Sequence, residues 1–151
     1  MKRGEPVKRK RIWTAIFLAY CALMLWLLFD RAGYEPGIPY TQQLKFNLIP
    51  LETITRFLKV LIRGGSRADQ NHAIINLVGN VIMFIPLGFC LPMLWKKQRT
   101  LWKTLLTTAL IITLVELTQL LTLVGSCDTD DLILNVLGSA IGYGLFRLTP
   151  K

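Results

Sequence analysis

Four stretches of this chain, residues 12–29, 74–95, 101–124 and 132–148, are so long and so apolar that a water-soluble core cannot be their destination. As helices rising ~1.5 Å per residue they extend roughly 27, 33, 36 and 26 Å, enough to cross a hydrocarbon layer about 30 Å thick. A backbone in hydrocarbon must satisfy its own polar groups, so runs of this length read as helices. The expected fold class is all-α: a polytopic membrane protein with four transmembrane helices. Composition agrees, since 52% of residues are hydrophobic and only 18% charged, where a soluble domain would carry about a quarter.

The formal charge of +9 would suggest nucleic acid in a soluble protein. Here the cations fall between apolar blocks and orient the chain instead. Residues 1–11, a basic cytoplasmic arm, carry six Lys and Arg; Lys96, Lys97, Arg99 and Lys103 add four; Arg147 and Lys151 add two. Those segments share one side. The other side receives residues 30–73, with six basic residues, and residues 125–131, with none. Both termini are therefore expected in the cytoplasm, with Trp13, Trp95 and Trp102 near that interface. Residues 29–33 offer no small-x-small cleavage site, so the first apolar run reads as an uncleaved span in one membrane domain, residues 12–148.

Within the first extracytoplasmic loop, Leu51, Ile54, Leu58 and Leu61 recur at helical spacing opposite Glu52, Arg56, Lys59 and Arg63. Pro50 suits a first turn and Gly64-Gly65 a stop. Residues 48–63 read as an amphipathic helix, lying on the outer leaflet or packed as a lid over the bundle mouth.

Disorder, collagen-like repeats and disulfide scaffolds are excluded by composition. Cys21, Cys90 and Cys127 show no metal-ligand spacing, and His72 is the single histidine. A zinc site and a His-based triad are therefore not expected, and no metal or cofactor is assigned.

Chemistry must come from polar side chains inside the spans, where an ionisable group costs on the order of 3 kcal/mol. Glu116 is the one acid within a span, and Gln119 shares its helix face. Asn76 and Asn80 lie one turn apart near the outer end of the second span, and Asn135 lies one turn below Asp131 in the fourth. Asp128, Asp130 and Asp131 immediately precede the fourth span. One aspartate suffices to cap a helix, so three together call for partners, expected from Arg63, Arg67 or His72. The ligand-binding set is thus Asn76, Asn80, Glu116, Gln119, Asp128, Asp130, Asp131 and Asn135, with Glu116, Asp128 and Asp131 as candidates for catalysis. Gly138 and Gly142 form a small-xxx-small pair expected to bring helices close within the bundle.

Several runs together resemble the VanZ-like family of small bacterial membrane proteins. They are Asn47-Leu48-Ile49-Pro50-Leu51, the stretch from Asn76 through Gly79-Asn80 to Pro86-Leu87-Gly88, Glu116-Leu117-Thr118-Gln119, and Asp128-Thr129-Asp130-Asp131 leading to Asn135, Gly138 and Gly142-Tyr143. The resemblance implies a multi-pass protein of the bacterial cytoplasmic membrane, in a family named for lowered susceptibility to the glycopeptide teicoplanin. It supplies no reaction and no catalytic residues. The function expected is binding of a lipid-like or cell-envelope ligand, such as a lipid-linked precursor or lipoglycopeptide, at an outer-leaflet polar site. Two alternatives stand beside it: an intramembrane enzyme acting on a lipid-linked or phosphorylated substrate through Glu116, Asp128 and Asp131, and a proton-coupled transporter working as a homo-oligomer. Expected partners are the lipid bilayer, the envelope ligand and a second copy of the chain, but no nucleic acid.

Overall fold

The computed structural model describes residues 5–29 and 39–149. Residues 1–4 of the basic arm, 30–38 of the first loop and 150–151 lie outside the described residues, as do the side chains of residues 5–9. The chain runs α1 (Glu5–Phe29), a short α2 (Tyr40–Gln43), β1 (Phe46–Asn47), α3 (Glu52–Arg63), α4 (Arg67–Leu94), a 3-10 turn (Lys96–Gln98), α5 (Leu101–Thr122), β2 (Cys127–Asp128) and α6 (Thr129–Leu148). Four of these, Lys10–Phe29 within α1 together with α4, α5 and α6, are long and apolar enough to span a bilayer. The molecule is an all-α polytopic membrane protein.

The most extensive packing joins α4 to α6, with α5 on α6 and α1 on α4. Missing side chains permit it: a Cβ on Gly138 or Gly142 would overlap the carbonyl of Val81 or Ile85, and one on Gly88 that of Ser139. The small-xxx-small pair therefore acts inside the bundle, letting backbones touch. Met24, Phe84, Leu87, Leu91 and Ile112 form the core between α1, α4 and α5. α4 continues through Pro86 and Pro92 as one helix. Pro86 removes a backbone donor, and in the turn before it the Met83 carbonyl accepts the Tyr20 hydroxyl at 2.9 Å. Large apolar residues such as Leu18, Trp26, Leu110 and Leu114 remain exposed on the outside of the bundle, as hydrocarbon solvent requires. Hydroxyls on that outer surface bond within their own helix, Thr113 to Ala109 at 2.9 Å and Thr118 to Leu114 at 2.7 Å.

At one end, Tyr143 donates to the Arg99 carbonyl at 2.8 Å and Thr104 to that of Gln98 at 2.7 Å. The opposite end gathers the C-terminus of α1, the N-termini of α4 and α6, the C-terminus of α5, and α3. α5 stops at Leu123 in the left-handed region, φ 59°, with Leu123 donating to Leu120 and Val124 to Gln119. That is a Schellman turn built on a buried leucine rather than on Gly125. α4 begins at Arg67, a full turn and more before its apolar run, because Ser66 accepts the Asp69 amide and donates back to its carboxylate. This capping arrangement draws the polar stretch 67–73 into the helix.

α3 starts at Glu52, four residues later than the start of the helix expected over residues 48–63. Asn47 accepts the Ile49 amide at 3.1 Å, closing an Asx turn, and Leu51 adopts φ 66° as the N-cap, so Pro50 stays outside the helix. Its docked side is Thr53 and Phe57, and His72 of α4 meets the Phe57 ring edge-on at 5.4 Å. Leu51 and Leu58, two residues of the apolar stripe, are exposed together with Ile62. The helix therefore has three faces: one docked on the bundle, one basic and one apolar and uncovered.

Candidate functional site

The acidic run folds as the start of α6 and sends its carboxylates to separate partners. Asp128 is the N-cap: Oδ1 accepts the Asp130 amide at 2.8 Å, complementing the helix dipole. Its Oδ2 accepts the Thr53 hydroxyl at 2.7 Å, and Thr53 in turn accepts Asn47 Nδ2 at 3.0 Å. Asp130 is 0% exposed and caps a second helix: its two oxygens accept the amides of Leu51 and, at 2.9 Å, Ile54 at the start of α3. Among the described residues Asp130 is thus met by backbone amides, and the N-terminus of a helix stands where a guanidinium or imidazole from Arg63, Arg67 or His72 is expected. Asp131 accepts Asn80 Nδ2 from α4.

A two-residue parallel ladder fixes this geometry, pairing Phe46 with Cys127 and Asn47 with Asp128. The Cys127 amide donates to the Lys45 carbonyl at 3.0 Å. The next amide, that of Asp128, donates to Glu116 Oε2 at 3.1 Å. Glu116, 7% exposed, thereby ties α5 to the turn before α6. Burial pushes the Cys127 thiol up, and the neighbouring charges of Glu116 and Asp128 push it the same way, so it stays protonated and is a poor nucleophile at neutral pH.

Of the sequence-derived set, Glu116, Asp128, Asp130 and Asp131 with Asn80 meet in this network. Gln119 leaves it, donating to the Leu28 carbonyl at the end of α1 at 2.8 Å. The side-chain oxygens of Asn76 and Asn135 are buried with no hydrogen-bond partner among the described residues. Among the described residues no three His, Cys, Asp or Glu side chains converge on a point that would hold a metal ion. Asn47 and Thr53 belong to the network but lie outside the sequence-derived set. Thr53 is a hydroxyl on the buried side of an amphipathic helix, and that placement was the available signal.

Glutamine at position 116 retains a carbonyl for the Asp128 amide, whereas alanine strands that amide beside a cavity. We expect Glu116→Gln to unfold within about 1 kcal/mol of wild type and Glu116→Ala to lose roughly 2–4 kcal/mol. Thermal unfolding in detergent checks both. Equal loss in the two variants would mean that the carboxylate itself is required.

Four spanning helices, a cap helix pinned to their mouth and a buried network of acids and amides define a polytopic membrane protein with a polar site at one end of the bundle. The family model described as VanZ/LLP1 matches residues 17–149, and the chain belongs to that family. No curated protein and no solved structure matches it significantly.

Proposed function

We propose that the polar end of this bundle binds the head of a lipid-like cell-envelope molecule between α4 and α6, beneath α3. The observation that carries this reading is the pair of unpartnered amide oxygens on Asn76 and Asn135. Each lies one turn from the Asn80–Asp131 hydrogen bond on its own helix, so helical geometry places all four side chains along one seam. An unsatisfied buried acceptor costs about 1–3 kcal/mol, and hydroxyl or amide donors of a ligand would recover that. Ile75, Val78 and Ile82 are exposed along the neighbouring stripe of α4, an apolar track suited to an acyl chain.

The Lys and Arg distribution supports placing this end on the outer side of a bacterial cytoplasmic membrane, both termini inside. A protein that seats acyl chains or lipid-linked wall precursors there would alter susceptibility to teicoplanin, an acylated glycopeptide. The enzyme reading, acting through Glu116, Asp128 and Asp131, gains no support from carboxylates turned toward different partners. The transporter reading gains none from polarity gathered at one end.

The test is teicoplanin susceptibility in a host lacking the protein, complemented with wild type, Glu116→Gln, Asn80→Leu and Asn135→Leu at matched membrane abundance. Glu116→Gln is expected to complement fully and both leucine variants to fail. Failure of Glu116→Gln with retention by the leucine variants would overturn the binding reading in favour of one using the ionised carboxylate.

A further inference from the structure

The three faces of α3 carry a consequence separate from the polar seam. At 100° per residue, Glu52, Arg56, Lys59 and Arg63 fall within about 60° of one another, and Leu51, Leu58 and Ile62 fall within about 40° on another flank. Thr53 and Phe57, on the third flank, are buried against the bundle. The apolar flank is uncovered, Ile62 being 82% exposed. Leu48 and Ile49, 64% and 63% exposed, extend it beyond the helix start. Beside the basic flank lies a shallow recess of about 510 Å³, walled by Arg56, Lys59, Arg63 and the Gly64-Gly65 corner.

We propose that this rim seats an anionic phospholipid of the surrounding leaflet, its phosphate among Arg56, Lys59 and Arg63 and its acyl chain along Leu58 and Ile62. Charge complementarity selects the headgroup: three cations face the recess with Glu52 the only acid among its lining residues. The uncovered apolar flank selects a lipid over a free anion, since that surface needs hydrocarbon rather than water. Preorganisation supports a defined seat. Asp130 holds the α3 N-terminus, the Gly64 amide closes its last turn on the Val60 carbonyl, and the Arg56 guanidinium rests 5.4 Å from the Phe57 ring centre. Failure of the polar-seam reading leaves this inference standing, and the converse holds.

The experiment uses the full chain with its three cysteines replaced by alanine and a bimane on Thr55→Cys, in the lining of the recess. In nanodiscs, quenching by brominated phosphatidylglycerol is compared with quenching by brominated phosphatidylcholine at equal mole fraction. We expect a preference of about tenfold for phosphatidylglycerol, well under the roughly hundredfold that three independent cations near the surface could give, falling severalfold in 0.5 M salt. Arg56→Gln/Lys59→Gln/Arg63→Gln is expected to abolish it. Lys96→Gln/Lys97→Gln/Arg99→Gln, at the other end, is expected to leave it intact. Equal quenching by the two lipids in the unsubstituted rim overturns the proposal without reference to any variant. So does a preference that survives the rim substitutions, or one that 10 mM inorganic phosphate removes at constant ionic strength, which would assign the cations to a soluble anion.

Discussion

Replacing Asp130 with alanine is expected to release α3 from the bundle. The carboxylate is buried and spends both oxygens on the amides of Leu51 and Ile54. No other acceptor is within the helix's own reach there, because the first amides of any helix lack intrahelical partners. Hydrogen bonds to a charged group contribute about 1.5–3 kcal/mol each, so the pair accounts for roughly 3–5 kcal/mol after partial rehydration. Leu51 adds to the effect. Its left-handed φ of 66° is a conformation that costs a leucine about 1 kcal/mol or more, and its Asp130 bond is what holds it there. Amide exchange should locate the change: protection at Leu51 and Ile54 collapses, while the middle of α4 exchanges as before. Asparagine is expected to be an intermediate substitute, since its one carbonyl can serve one amide while its NH₂ confronts the other. Unchanged protection in Asp130→Ala would mean that the Thr53–Asp128 bond and the Phe57 contact alone dock the helix.

This interaction also marks where sequence reading ran out. The spans were legible because uninterrupted apolar runs of such length have one stable solution in hydrocarbon, and the Gly64-Gly65 stop because glycine takes the left-handed turn at little cost. Asn80, Glu116 and the aspartates of the network could be picked out, since an acid or amide inside a span, or three acids before one, needs a reason. Their partners could not. Asp130 meets a backbone 76 to 79 positions away, and a backbone amide has no side-chain signature to search for. The cationic side chains expected as partners are Arg63 and Arg67, with His72, whereas a helix N-terminus supplies positive potential with no positive residue. Periodicity likewise divided α3 into two faces. The third, docked face centres on Thr53, which a hydropathy pattern scores as polar and the structure uses as a buried link between Asn47 and Asp128.

The second large effect is expected at the contact between α4 and α6. Gly142→Ala places a methyl where the Ile85 carbonyl and the Phe89 amide already are, and Gly138→Ala collides with the Val81 carbonyl. Because the obstruction is helical backbone rather than a flexible side chain, the helices must part, and the loss is expected near or above the upper end of the ~1–3 kcal/mol typical of overpacking. Gly79 and Gly144 provide the internal comparison. A Cβ at either meets nothing within 4 Å, so alanine there is expected to be neutral or to stabilise by up to about 1 kcal/mol through helix propensity. Unfolding in detergent should therefore order the variants Gly144→Ala and Gly79→Ala at or above wild type, with Gly138→Ala and Gly142→Ala well below it. All four behaving alike would show that helix propensity, not backbone contact, governs these positions. The separation has a second consequence. Asn80 and Asp131 are bonded across this same helix pair, so parting α4 from α6 also opens the seam holding Asn76 and Asn135. Gly142→Ala should then fail to complement in the teicoplanin assay even under conditions where it stays folded, while Gly144→Ala two residues away complements fully.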